Sequence, residues 1–553
     1  MKSILASKGA TSKLLVGRLK PSGKLVELKA IAAMVILTGC GSGLVPVVVA
    51  PSLPPQSSAQ TPLPGQLSAL TPVVVTPVIP TPSQPRYQLG MNVSTVAYWG
   101  GDRSLSNLLV GGEWVDPSNG WNGLPADRVD GLGYPLSVPS QGLNKLLTPP
   151  AGVLGGAGEV IRCSWTGTGE LYAGGGPRET AREARAFEFF WPKGSLSDRV
   201  WLHLARTSAT DPVRNLDCRE KDAARAAVFA PEFLDSLRPY KVLRFLDWSQ
   251  ANANPATLSW GNRAAADSIN QIDRGVALEH QIALANTTGA APWFNIAWNA
   301  DEDYVRRMAE TVKAGVPAGR QVYVEMSNEV WNYQFAVAAQ SEKEGLAQGL
   351  SDDRFVANLR RYADKTSWAM KIWAQVFADR PGQLVRVAAT QHDNPWTAEM
   401  VLSWKDTAAN VDALATAPYF GHDFFSGSLA TATDETVLMS ALAGQARQVL
   451  VDKGMANAAV AKTYSKRYIA YEAGQHIIAP NSLDRVTLVN RSVRMYDIYK
   501  AFLADWRARF GDTIMLYNAT GSISPYGAWG TREYAGQPLN QTPKRRAAID
   551  SAG

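Results

Sequence analysis

The sequence predicts an α/β protein: a (β/α)8 TIM barrel with a β-sandwich-like subdomain inserted between its first and second strands. Three observations predict it. Eight short apolar runs recur along the chain, and helical patterns separate most of them. Strands that alternate with helices pair in parallel, and eight such units close into a barrel. The connection between the first two runs, residues 94–240, is far longer than a strand-to-helix loop requires, and it carries strand patterns of its own.

The N-terminal segment, residues 1–40, is basic and leads into an apolar stretch at 30–37. That stretch is too short to span a bilayer as a helix but suits the core of a signal peptide. It ends in Leu37-Thr38-Gly39-Cys40, which resembles the bacterial lipoprotein signal. The resemblance implies a lipidated Cys40 and a membrane anchor at the cell envelope. Gly41 stands where an Asp often retains such proteins in the inner membrane, so outer-membrane placement is the expectation. A buried helix with a chance cysteine is the plainer alternative. The next segment, 41–85, is rich in Pro, Val, Ser and Thr, with almost no charge. Such a composition makes an extended tether, not a core.

The barrel is expected over 86–545. Its strands are read at 89–93, 241–247, 292–297, 321–326, 384–390, 411–417, 467–471 and 513–517. Helical patterns lie at 301–314, 357–378, 434–453 and 482–510, with Asp301 as N-cap of the first. The inserted subdomain is expected over 130–217, with strands at 159–165, 169–172, 186–191 and 199–204 parted by Gly and Ser turns. Insertions after a barrel strand emerge on the C-terminal face, where barrel sites are built.

Composition narrows the function classes. The net charge is +6, but part of that excess sits in the first 30 residues, and no dense basic run with a nucleic-acid motif follows. Nucleic acid is therefore not an expected partner. The five histidines are scattered without zinc-ligand spacing, and no Gly-rich nucleotide loop follows a strand, so no metal and no cofactor are expected. Cys163 and Cys218 are expected to pair if the protein is exported; two free buried thiols are the alternative.

Two strand ends carry the chemistry. Residues 322–332 read VYVEMSNEVWN, an apolar strand that breaks into Asn328-Glu329, and residues 467–476 read RYIAYEAGQH, ending a strand at Glu472. On the fourth and seventh strands, these two carboxylates face each other across the barrel mouth. A pair so placed can flank a glycosidic bond, and a retaining mechanism needs them about 5–5.5 Å apart. The pattern resembles the clan of retaining (β/α)8 glycoside hydrolases that includes many cellulases and β-galactosidases. The resemblance implies Glu329 as acid/base and Glu472 as nucleophile. It further implies that Asn328 binds the substrate 2-hydroxyl, that Arg244 lies near the nucleophile and that Tyr419 hydrogen-bonds to it. The wider wording resembles bacterial proteins described as cellulose-binding.

Tyr98, Trp99, Trp248, Trp298, Trp331 and Trp396 follow predicted strand ends, where aromatic faces suit the apolar faces of sugars. Trp529 is the candidate for the clan's platform near strand eight, displaced from the strand itself. His392 and His476 follow strands five and seven; each is read either as contacting substrate or Glu472, or as a hydrogen-bonded structural histidine. Glu325, inside the fourth strand, is expected to pair with a basic neighbour, and Asp247 either to do the same or to line the site. The expectation is a monomeric lipoprotein that hydrolyses a β-linked polysaccharide. The competing readings are a non-catalytic glycan-binding lipoprotein on the same scaffold and a structural envelope protein.

Overall fold

The computed structural model describes residues 87–552. The predicted signal segment, Cys40 and the Pro-rich tether lie outside the described residues.

Eight parallel strands close into a barrel: β1 (Leu89–Asn92), β2 (Val242–Arg244), β3 (Ala291–Ile296), β4 (Val322–Met326), β5 (Leu384–Ala389), β6 (Ala413–Thr416), β7 (Arg467–Ala470) and β8 (Ile514–Leu516). Each pairs with its sequence neighbour, and β8 returns to β1 through Leu89 opposite Ile514. The strands are buried on both faces, which is why they read as apolar runs without alternation.

Alternate residues point inward and fill the barrel: Val242, Trp293, Tyr323, Val387, Ala415, Ile469, Tyr471 and Met515 form one buried cluster. Large and small residues complement each other there. A Cβ on Gly90 would lie 2.2 Å from Met515 Sδ, so only glycine leaves that thioether its place. The same inward parity places Arg244 and Glu325 inside the barrel with no exposure at all.

Three of the longer helices start where short acidic side chains cap them. Asp301, Asp353 and Asp434 each accept a backbone N–H three residues on, opening Glu302–Gly315, Arg354–Val376 and Glu435–Val449. Two predicted helices are broken. The pattern at 434–453 gives way to a π-helical turn at Leu450–Gly454 before Met455–Thr463 continues. The pattern at 482–510 divides into Leu483–Arg491 and Met495–Arg509, because Ser492 leaves the helical region. Among the described residues no helix is long and apolar enough to cross a membrane.

The insertion holds two antiparallel sheets. One has the order Arg214–Glu220, Gly158–Thr166, Ala186–Pro192, Arg178–Glu183; the other runs Asn122–Gly123, Trp114–Asp116, Leu143–Leu146, Trp201–Thr207, Gly169–Gly174. Strands thus begin at Trp114 and end at Glu220, wider than the expected 130–217. The strand Trp114–Asp116 is too short to show a pattern. Arg178–Glu183, with sequence RETARE, is exposed at every position and carries no apolar alternation. It is a charged edge strand, a form that blocks further strand addition. Cys163 and Cys218 stand opposite each other in register and are joined by a disulfide.

Candidate active site

The C-terminal ends of β1, β2, β4 and β7 converge on one guanidinium. Arg244 ends β2, and all five of its N–H donors are engaged. Nε and Nη2 bind the two oxygens of Glu325 at 3.0 Å each. Nη1 donates to Asn92 Oδ1 at 3.0 Å and to Glu472 Oε1 at 2.8 Å, and Nη2 also reaches Asn328 Oδ1 at 2.8 Å. The planar fork is suited to several fixed acceptors at once. Glu325 is completed by Trp293 Nε1 and Asn295 Nδ2 at 2.9 and 3.1 Å, so it is an internal barrel carboxylate paired with a cation.

Beyond Met326 the backbone leaves the strand. Ser327 and Glu329 take positive φ, 59° and 40°, in a region that non-glycine residues seldom occupy. The turn is held by Ser327 N–H on Ile296 O and Asn332 N–H on Glu329 O. Strained backbone of this kind clusters at functional sites. The turn gives the Glu329 carboxylate two donors: Tyr471 OH to Oε1 at 2.9 Å and Asn332 Nδ2 to Oε2 at 2.8 Å.

Glu472, buried at the end of β7, accepts from Arg244 on Oε1 and from Tyr419 OH on Oε2, the latter at 2.8 Å. Tyr471 and Glu472 are consecutive, so β7 delivers one group to each acid. Asn328 bridges Arg244 and Asn252, with Nδ2 2.9 Å from Asn252 Oδ1.

The two glutamates differ electrostatically. Burial first, and the charge of Glu472 second, push Glu329 up to about 7. Burial also raises Glu472, but Arg244 and the Tyr419 hydroxyl oppose it. The Glu472 charge is itself a cause of the Glu329 shift, so the two carboxyls titrate as a pair. Glu329 thus holds its proton well above the ordinary glutamate range, while Arg244 and Tyr419 draw Glu472 toward its ionised form. Asp247, half-buried beyond β2, is likewise raised to about 7 by burial and by Glu472, which makes it a third carboxyl of the site.

A stability prediction follows from Glu329. A carboxyl whose folded value exceeds its ordinary one binds more protons when folded. Its ionisation therefore costs stability as pH rises from about 4.5 to about 7. Glu329→Gln is expected to melt at a higher temperature than the wild type at pH 8, with the gap closing toward pH 4.5. Equal melting temperatures at pH 8 would contradict the assignment.

The other predicted site residues separate by burial. Trp248 and Trp298 are buried core residues, not sugar platforms. Trp248 Nε1 donates to Ser94 O and Trp298 Nε1 to Glu344 Oε1. His392 is buried with Nδ1 on Thr416 Oγ1 and Nε2 on Val449 O, so it ties β6 to a helix and is not a substrate contact. Trp331 is half-buried, while Trp99 and Trp396 are 49% and 43% exposed. His476 and Trp529 do reach the site. Trp529 Nε1 donates to His476 Nδ1 at 3.0 Å, and the His476 ring centroid lies 5.1 Å from that of Tyr419. Trp529 also meets Tyr517 edge-on at 6.1 Å. Tyr517, just past β8, is strongly raised by the charge of Asp247 and then by burial, so it belongs to the same cluster. Sequence reading missed Asn92, Asn332, Tyr471 and Tyr517. Only Tyr471 had a signal, its inward parity with Ile469. Among the described residues no group of three His, Cys, Asp or Glu side chains is placed to hold a metal ion.

No protein-family model and no curated protein matches the chain. Among solved structures it is similar to the GH51 arabinofuranosidase from Xanthomonas axonopodis pv. citri, at 9% identity over 59% of this chain and 67% of that one, with a TM-score of 0.40. It is also similar to the beta-glucosidase from Thermotoga maritima in complex with castanospermine, at 12% identity over 58% and 85% of the two chains, with a TM-score of 0.33. The barrel itself is defined by its own strand pairing.

Proposed function

We propose that the protein is a retaining glycoside hydrolase acting on a β-linked polysaccharide through two glutamates. The observation that carries this reading is the unequal pair: Glu329 raised to about 7 opposite a Glu472 held by Arg244 and Tyr419. Two carboxyl groups whose environments separate their protonation states divide into an acid and a nucleophile. Glu472 attacks the anomeric carbon while Glu329 gives its proton to the departing oxygen, leaving a glycosyl ester on Glu472. Glu329, now ionised, takes a proton from water as that water attacks the same carbon, and Glu472 is released. Arg244 and Tyr419 position the nucleophile, and Asn328, fixed at both ends of its amide, is offered to the 2-hydroxyl of the sugar. The same reading includes a lipid anchor at Cys40, placement at the bacterial cell envelope, and action as a monomer.

The test is the release of reducing ends from a panel of plant and bacterial β-glycans, with the first-formed anomer identified by NMR. Retention is expected, and inversion would exclude the ester. The kcat/KM profile is expected to fall on its alkaline side near pH 7, and Glu329→Ala to lose that limb on aryl glycosides with good leaving groups. Glycan binding without release would move the reading to the non-catalytic alternative.

A further inference from the structure

Three aromatic rings stand in a row, a ladder that begins one residue beyond the turn carrying Glu329. Asn332, which holds the Glu329 carboxylate, is followed at once by Tyr333. The Tyr333 ring centroid lies 6.3 Å from that of Phe355, and Phe355 lies 6.1 Å from Trp396. Trp396 opens the helix Trp396–Leu402 after β5, and Phe355 sits in the first turn of Arg354–Val376. Tyr333 is 50% exposed and Trp396 43% exposed, so both offer a large aromatic surface to solvent.

Tyr333 is fixed as well as exposed. The Tyr333 hydroxyl donates to Glu342 at 2.6 Å, and Glu342, itself buried, is held by Arg354 Nε at 2.6 Å. Burial first, and the bond to Glu342 second, push the phenol up to about 12, so it keeps its proton. Trp396 follows directly on Pro395, the N-cap of its helix. Fixed aromatic faces bind the C–H faces of sugars with little ordering cost.

We infer that this ladder holds the leaving-group part of a β-glycan chain, so that cutting occurs within a polymer and not at a terminal sugar. The inference rests on the glycosidase reading above. Its direction comes from the roles of the two acids. Glu329 protonates the departing oxygen, so the departing sugars lie on its side of the cleaved bond, and the ladder begins at the residue after Asn332, which holds that acid. Glu472 and its partners, Arg244 and Tyr419, hold the other sugar.

The experiment measures kcat/KM on cello-, xylo- and manno-oligosaccharides of two to six units, for the wild type, Trp396→Ala, Trp396→Phe and Tyr333→Ala. Wild-type kcat/KM is expected to rise with length on the series that is cleaved. In Trp396→Ala and Tyr333→Ala the ratio between six-unit and two-unit substrates should fall about tenfold, with Trp396→Phe keeping most of it. A wild-type length dependence preserved in both alanine variants would overturn the ladder and leave the glycosidase standing. No cleavage of any series or of the polymeric glycans by the wild type would overturn the glycosidase reading, and the ladder with it.

Discussion

Glu472→Gln is expected to lower kcat by at least about 10⁴-fold, the scale on which removing one member of a catalytic unit acts. The carboxylate is the attacking atom in the proposed reaction, and an amide oxygen is too weak a nucleophile to replace it. The fold should survive. A glutamine oxygen still accepts from Arg244 Nη1 or from Tyr419 OH, which hold the present carboxylate at 2.8 Å each. Two further readouts separate a lost nucleophile from a damaged site. The Glu472 charge helps raise Glu329, so in the variant Glu329 must titrate closer to the ordinary glutamate range. Glu472→Ala with azide should form a glycosyl azide of inverted configuration, since the small anion attacks from the vacated side. Full activity in Glu472→Gln would end the assignment.

The barrel was legible because its strands are buried on both faces and therefore read as apolar runs. The pair Glu329 and Glu472 was legible because each interrupts such a run. Arg244, Asn328 and Tyr419 could be named through the resemblance; Arg244 and Tyr419 bond Glu472, and Asn328 bonds Arg244. The supporting residues were hidden because their contacts cross the barrel. Tyr471 reaches an acid 142 positions away, and Asn92 meets an arginine 152 positions away. Position after a strand end did not reveal which way a side chain turns. Trp248, Trp298 and Trp396 occupy similar places in the sequence, yet the first two are buried and the third is 43% exposed. His392 illustrates the same limit: a loop residue by position became a buried link between Thr416 and Val449. In the insertion, Arg178–Glu183 pairs along one edge only, so its sequence had no buried face to display.

Replacing Arg244 should have the largest effect on stability, and the sign of its pH dependence tests the electrostatics directly. Arg244→Met removes the one cation between Glu325 and Glu472, both of which bind it inside the barrel. Glu325 would keep only Trp293 and Asn295, and Glu472 only Tyr419. Breaking a buried pair by deleting one partner typically costs about 3–5 kcal/mol, because a charge is left uncompensated. Burial already raises both carboxylates, and without the arginine nothing comparable opposes it. Both folded-state values then move further above the ordinary one. The folded variant binds excess protons above about pH 4.5, so its stability falls as pH rises. The deficit relative to wild type is therefore expected to be widest above neutral pH and to shrink toward pH 4, where the carboxyls are protonated. Adding Glu325→Gln to Arg244→Met should recover part of the loss, since one of the two stranded charges is gone. Arg244→Lys should recover less than its charge suggests, for an ammonium has three donors where the guanidinium engages five. Activity should fall in every one of these variants through Glu472: a nucleophile that holds its proton to higher pH moves the acid limb of kcat/KM upward. A deficit that does not change between pH 4 and pH 8 would mean that Arg244 acts through packing alone.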